Sequence, residues 1–288
     1  MTDIGMPQRA PKEHSTVTLG RLLPSAERST IAEVVTALGL DERPVPTDGR
    51  PHMMLNMVSS ADGRATLDGR SGGLSDTADR ALFHGLRGAV DAVLAGAGTV
   101  RHERYGRLIP QADRRDLRLR AGMTAEPLAC IVSESLQFGD EVGLLAEPEA
   151  HVAILTRSAG KVQGARAQVD YVRAESHGSL DLRAALMELH ERFEICSLLC
   201  EGGPHLGCEL LAQGLVDELF LSLSPTLLGG VPDGSDALRI LAGAELDPPV
   251  KLELLSVFEA NSGLFLRYAV SECDRVSRAT MLSSSLAS

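Results

Sequence analysis

The amino-acid sequence predicts an α/β fold, with one mostly parallel sheet, helices on both faces and a closing antiparallel hairpin. Three observations carry this expectation. Short apolar runs of strand length recur, and they stop at Gly, Ser, Thr or a carboxylate. Stretches with apolar residues at helical spacing lie between several of them. Near the end, Val250 to Phe258 and Leu264 to Val270 flank Asn261-Ser262-Gly263, which is hairpin chemistry. Strands that alternate with helices lie side by side and parallel. No internal repeat or second core is visible, so the organisation reads as an arm over 1–46, a main domain over 47–272 and a flexible tail over 273–288.

The arm opens polar and proline-bearing. A short amphipathic helix follows from Ser29 to Leu40, with Ser29 as its cap and Ile31, Val34, Val35 and Leu38 on one face. Pro44, Pro46 and Gly49 form a linker. Met53 to Ser59 is a buried strand that ends in the turn Ser60-Ala61-Asp62-Gly63. Asp68-Gly69-Arg70-Ser71-Gly72-Gly73 is a second loop, and Ser75 caps a helix to about Gly88. Strands are expected at Asp91 to Gly96, Leu128 to Val132, His151 to Leu155 and Val169 to Val172. Leu180 to Phe193 is a helix with Leu182, Ala185, Leu186 and Leu189 on one face. The apolar run Ile195 to Cys200 then stops at Glu201. Gly202-Gly203-Pro204 follows, with a helix from Pro204, a residue favoured at the first helical position. Val216 to Ser224 is the last strand before the hairpin.

Composition narrows the function. Hydrophobic residues make up 44% of the 288, enough for a sizeable core, and without tryptophan that core must be aliphatic. A formal net charge of −11 argues against nucleic acid, which needs a basic face. The five cysteines form no Cys-x-x-Cys pair and the histidines no His-x-x-x-His pair, so no metal is expected. The cysteines read as reduced, buried thiols. Without a secretory pattern or an apolar run of about 18 residues, the expectation is a cytoplasmic protein with no membrane contact.

Chemistry is expected where strands end. Glu201 stands at the carboxyl end of a strand, and Gly202 and Gly203 precede a helix N-terminus, where free N–H groups attract anions. A strand-to-helix turn with a surface glutamate is the plainer reading of the same stretch. Gly96-Ala97-Gly98-Thr99 begins like a dinucleotide fingerprint, but Arg101 occupies the third glycine position, so a conventional Rossmann reading fails. What survives is a glycine pair with Thr99 available to cap a helix. Thr156-Arg157-Ser158 is a surface turn or a contact for a 2′-phosphate. The glycine-bearing strand ends together suit a nucleotide and a second ligand.

At this point the residues resemble a family. Asn56-Met57-Val58-Ser59-Ser60-Ala61-Asp62-Gly63, Gly69-Arg70-Ser71-Gly72-Gly73, Leu86-Arg87, Asp91 to Arg101, Glu201-Gly202-Gly203, Gly214 to Leu219 and Ser224-Pro225 occur in order. The set is similar to the reductase domain of bacterial riboflavin biosynthesis, which has the dihydrofolate-reductase-like fold, and covers roughly Pro51 to Val270. Glu103-Arg104-Tyr105-Gly106-Arg107-Leu108 resembles the stand-alone actinobacterial branch. The His-x-Glu…Cys-x-x-Cys set of the deaminase domain in bifunctional members does not occur here.

The resemblance implies an NADPH-dependent reductase that converts a ribosylaminopyrimidine 5′-phosphate to its ribitylamino form by reduction at C1′. By matching motif positions, Val58, Gly73, Gly96, Gly98, Thr99, Glu103, Ser133, Gly202, Gly203, Pro204, His205, Leu206, Gly207 and Cys208 would contact NADPH. Ser71, Arg87, Glu201, Asn56 and Asp62 would contact the substrate, with Arg87 on its phosphate and Glu201 catalytic. A homodimer through the sheet edge is also implied. The motif usually carries lysine where Asn56 stands and leucine where Ala61 stands, and aspartate at Glu103. Loss of the lysine keeps a dihydrofolate-like or other pterin substrate open beside the pyrimidine. A nucleotide-binding protein without catalysis is the alternative of another class.

Overall fold

The computed structural model describes residues 18–40, 47–139, 142–230 and 237–271. Its first part is a strand pair, β1 (Thr18–Leu23) and β2 (Glu27–Thr30), then α1 (Ile31–Ala37). The core opens with β3 (His52–Ser60), a single 3-10 turn at Ser71–Gly73, α2 (Thr77–Ala89), β4 (Ala92–Gly96), α3 (Ala97–His102) and α4 (Ala112–Arg120). It continues through β5 (Leu128–Val132), α5 (Gly143–Ala146), β6 (His151–Thr156) and β7 (Gln168–Arg173). After the short pair β8 (Glu175–Ser176) and β9 (Ser179–Leu180) come α6 (Leu182–Phe193), β10 (Ser197–Cys200) and α7 (Pro204–Ala212). Then β11 (Glu218–Ser224), β12 (Leu252–Ala260) and β13 (Gly263–Val270) close the fold.

One eleven-stranded sheet runs in the order β2-β1-β12-β13-β11-β3-β10-β4-β5-β6-β7. From β11 to β7 every neighbouring pair is parallel. The other end, from β11 to β2, is antiparallel. Successive strand residues point to opposite faces, and each face buries its own cluster. Met54, Val93, Ile131, Ile154 and Leu199 meet Val34, Leu82, Leu86 and Val100 on one side. Met53, Leu55, Leu94, Leu155 and Leu198 meet Leu182, Leu186, Leu189 and Leu210 on the other. The expected α/β sheet with helices on both faces and a terminal hairpin is what forms. Among the described residues, no helix is long and apolar enough to cross a membrane.

Several local expectations change. Within the expected arm, residues 18–37 join the main sheet and core: β1 pairs with β12, and Leu19, Val34 and Leu38 are buried. Thr30, not Ser29, caps α1, in a capping box with Glu33. Asp76, not Ser75, caps α2 by accepting from the Asp79 amide at 2.8 Å. Thr99 lies inside α3, whose N-cap is Gly96. The helices α4 and α5 were not expected. The tail over 273–288, the start over 1–17, and Pro44 and Pro46 lie outside the described residues.

Candidate active site

Parallel strands collect their carboxyl ends at one edge, and β10 is seated between β3 and β4. The chain after β10 stays on the sheet for two more residues. Glu201 N–H donates to Leu94 O at 2.9 Å, and Gly96 N–H donates to Gly202 O at 2.9 Å. Residues beyond three adjacent strands are thereby fastened along one cleft of about 1160 Å³. Its walls include Asn56, Val58, Ser71, Arg87, Gly96, Gly98, Thr99, Glu103, Glu201, Gly202, Gly203, Pro204, His205 and Leu206.

At the floor, Glu201 and Arg87 meet as a bidentate pair. Arg87 Nε donates to Oε1 and Nη2 to Oε2, each at 2.6 Å, and Arg87 Nη1 donates to Leu108 O at 3.3 Å. Tyr105 O–H donates to Glu201 Oε2 at 2.5 Å. The guanidinium lies over the Phe83 ring at 4.3 Å and faces the Tyr105 ring at 5.2 Å. The Glu201 side chain is 2% exposed. Burial opposes the Arg87 charge, but the Glu201 charge and hydrogen bonds outweigh it and raise its pKa. Burial and the Glu201 charge push the Tyr105 phenol well above its usual range. Three of the five Arg87 N–H donors are thus used inside the protein.

Ser71 and Glu103, expected on different ligands, bind each other. Ser71 N–H and Oγ–H both donate to Glu103 Oε1, at 2.8 and 2.9 Å, and this carboxylate pins the 3-10 turn to the end of α3. Five expected residues do not line the cleft. Asp62 is exposed and holds the chain after β11, accepting from Ser60 Oγ at 2.5 Å and from the amides of Leu228 and Gly229 at 3.1 and 2.6 Å. Gly73 permits a close pass, since a Cβ there would stand 3.1 Å from Leu67 Cβ. Ser133 is buried, its Oγ accepting from the Leu136 amide at 3.2 Å. Gly207 and Cys208 sit on the inner face of α7, against Leu55 and Leu241 and against Ala244 O. Arg157 pairs with Glu134 at 2.7 Å and is also outside the cleft.

The other wall is built from glycine backbone and the start of α7. The N-cap of α7 is Gly203, which supplies no side-chain hydrogen bond, so the first-turn amides face the cleft without a capping group. Gly202 has φ +93°, and a Cβ on Gly203 would stand 3.0 Å from Thr99 Oγ1. Glycine alone keeps that approach open. Residues that sequence reasoning left aside also line the cleft: Phe83, His84, Arg80, Arg64 and Tyr105. The signal for Arg80 and His84 was their spacing from Arg87 on α2, which places all three on one side of the helix.

An α/β sheet with a glycine-lined cleft at the carboxyl ends of its strands defines a nucleotide-using enzyme class. The RibD C-terminal domain matches residues 51–266, and the chain belongs to that family. A 2,5-diamino-6-ribosylamino-4(3H)-pyrimidinone 5′-phosphate reductase of Archaeoglobus fulgidus is 27% identical over 198 residues, covering 66% of this chain and 90% of that one. The reductase of the same name from Methanothermobacter thermautotrophicus is 26% identical and covers 77% of this chain and 99% of its own. Among solved structures, a pyrimidine reductase-like protein of Corynebacterium diphtheriae superposes with a TM-score of 0.66 at 25% identity, covering 85% of this chain and all of that one. The family is one of reductases.

Proposed function

We propose that this chain is an NADPH-dependent reductase that converts a 6-ribosylaminopyrimidine 5′-phosphate, such as 5-amino-6-(5-phosphoribosylamino)uracil, to the ribitylamino compound. The observation that carries the reading is the pairing of two unlike walls in one cleft. The glycine-capped start of α7 suits a pyrophosphate, and the Glu201–Arg87–Tyr105 floor faces it together with Arg80 and Arg104, neither of which is paired with a carboxylate among the described residues. Gly202, Gly203, His205, Leu206 and Thr99 would hold NADPH, which supplies the hydride for C1′ when bound. Arg87 and Tyr105 keep the Glu201 carboxylate in a single orientation, and Glu201 Oε1, which accepts one bond from Arg87, has a lone pair left for a substrate hydroxyl or amine. The substrate phosphate falls to Arg80, whose guanidinium is exposed and bonds only Gly72 O among the described residues. The same proposal covers a cytoplasmic homodimer formed through the antiparallel end of the sheet, where Leu22, Leu252 and Leu254 are exposed.

The test is NADPH oxidation with the ribosylaminopyrimidine phosphate, in both its diamino and deaminated forms. Turnover lost on Glu201→Gln supports the reading, and absence of turnover above background refutes it. Asn56 favours a second substrate, a dihydropteridine. Its side chain lines the cleft without a hydrogen-bond partner among the described residues, so a neutral amide stands where the family motif has a lysine. Side-by-side turnover with dihydrofolate decides between the two.

A further inference from the structure

Reduction of a C=N bond takes a hydride at carbon and a proton at nitrogen, and none of the roles above supplies the proton. Most titratable groups in the cleft are poorly placed to give one. Tyr105 O–H is committed to Glu201, and Glu201 is a carboxylate held by an arginine. His102 is exposed and its Nδ1 meets Gly98 O of its own helix at 2.8 Å. His205 is exposed on α7.

His84 differs from all of these. It lines the cleft, is partly buried, and lies one turn after Arg80 and one turn before Arg87 on α2. Its ring stands edge-on to Phe83 at 5.5 Å, the same ring that lies under the Arg87 guanidinium. Neither ring nitrogen has a hydrogen-bond partner among the described residues. The charges that face it are Arg80 and Arg87 from its own helix, Arg114 from α4, and Glu201 from the end of β10.

We propose that His84 delivers the proton of the reduction and takes it up as the phosphorylated substrate enters the cleft. The inference rests on the reductase reading above. The C1′=N double bond becomes single as a hydride from the cofactor reaches C1′. An N–H bond forms at the bridging nitrogen while the imidazolium N–H breaks. The imidazole returns to its neutral form and is recharged from water, so one hydride and one proton are consumed per turnover. Burial, aided by Arg87, Arg114 and Arg80, holds free His84 below the usual imidazole value, with Glu201 pulling the other way. A phosphate dianion beside Arg80 offsets that repulsion, so the proton arrives with the substrate.

Two measurements test this. The first is NMR titration of the imidazole resonances of the full chain, alone and with ribose 5-phosphate. His84 should titrate at least about 0.5 pH unit higher with the ligand, whereas no upward shift overturns the coupling. The second is the pH profile of turnover. A step that needs the imidazolium slows as pH rises through its pKa. The descending limb of kcat/KM, set by the free protein, therefore falls at lower pH than that of kcat, set by the complex. His84→Gln should lower kcat about 100-fold, abolish that limb and leave NADPH affinity, read by fluorescence, within about twofold. A variant that keeps the wild-type rate and profile overturns the role of His84 while the reductase reading stands. A wild-type chain that turns over no ribosylaminopyrimidine phosphate overturns the reaction, and the proposal with it.

Discussion

The two ends of the parallel sheet use the same chemistry to different effect. At the amino ends, Asp91 accepts from the Ser197 amide and Oγ and the Cys196 amide, at 2.8 to 3.0 Å, and so ties β10 to β4. Asp217 accepts from the Met53 amide at 2.7 Å and from both ends of the Arg50 fork at 2.7 and 2.8 Å, which ties β11 to β3. Arg267 and Glu218 repeat the pattern between β13 and β11, at 2.7 and 3.0 Å. At the carboxyl ends, the Arg87–Glu201 pair has the same fork geometry but opens onto the cleft beside Arg80, Arg104, His84 and Asn56, none of which is paired with a carboxylate among the described residues. A bidentate arginine pair is therefore no sign of function by itself. What marks the site is the group of uncommitted polar side chains around the pair.

Arg87→Ala and Arg50→Ala should separate the two ends most clearly. Removing Arg87 leaves the Glu201 carboxylate buried and unpaired, with an expected loss of about 3–5 kcal/mol in urea unfolding and loss of turnover. Removing Arg50 should cost less, about 1–3 kcal/mol, because Asp217 is 22% exposed, and kcat per folded molecule should not change. Equal loss of turnover in both would erase the distinction.

Gly203→Val adds a Cβ that would stand 3.0 Å from Thr99 Oγ1 and branches it further. NADPH affinity of the folded variant, by fluorescence titration, should fall at least about tenfold. Unaltered affinity would move the cofactor off this wall. Arg80→Ala should raise KM for the phosphorylated substrate about 10- to 100-fold and leave NADPH binding within about threefold. Parallel weakening of both ligands would contradict the division of the cleft. The smallest effect belongs far from either end: Thr30→Ala removes the α1 cap at about 1 kcal/mol, and kinetics should be unaltered.

How far the sequence reached follows the same physics. The central strands were legible because strands buried on both faces must be continuously apolar, as in Leu128 to Val132 and Leu198 to Cys200. The pair β1 and β2 was not, because at the sheet edge half of its residues are exposed and no alternation survives. Helix α4 was missed because its sequence, Ala-Asp-Arg-Arg-Asp-Leu-Arg-Leu-Arg, has no apolar stripe. Its buried residue is Arg118, which donates to the carbonyls of Gly88 and Val90 at the end of α2, at 3.0 and 2.8 Å, and burial pulls its pKa down to about 10. Strand-end glycines and Glu201 could be read as site residues from local chemistry. The union of Arg87, Tyr105 and Glu201 could not, because it joins positions 114 and 96 residues apart through folding alone.

The most direct test of the central claim is single-turnover oxidation of NADPH by the wild-type chain and by Glu201→Gln, with the ribosylaminopyrimidine 5′-phosphate at saturation. The account predicts rapid oxidation by the wild type and a rate at least about 100-fold lower in the variant, with NADPH still bound. Oxidation at equal rates by both, or by neither while NADPH binds tightly, would contradict it.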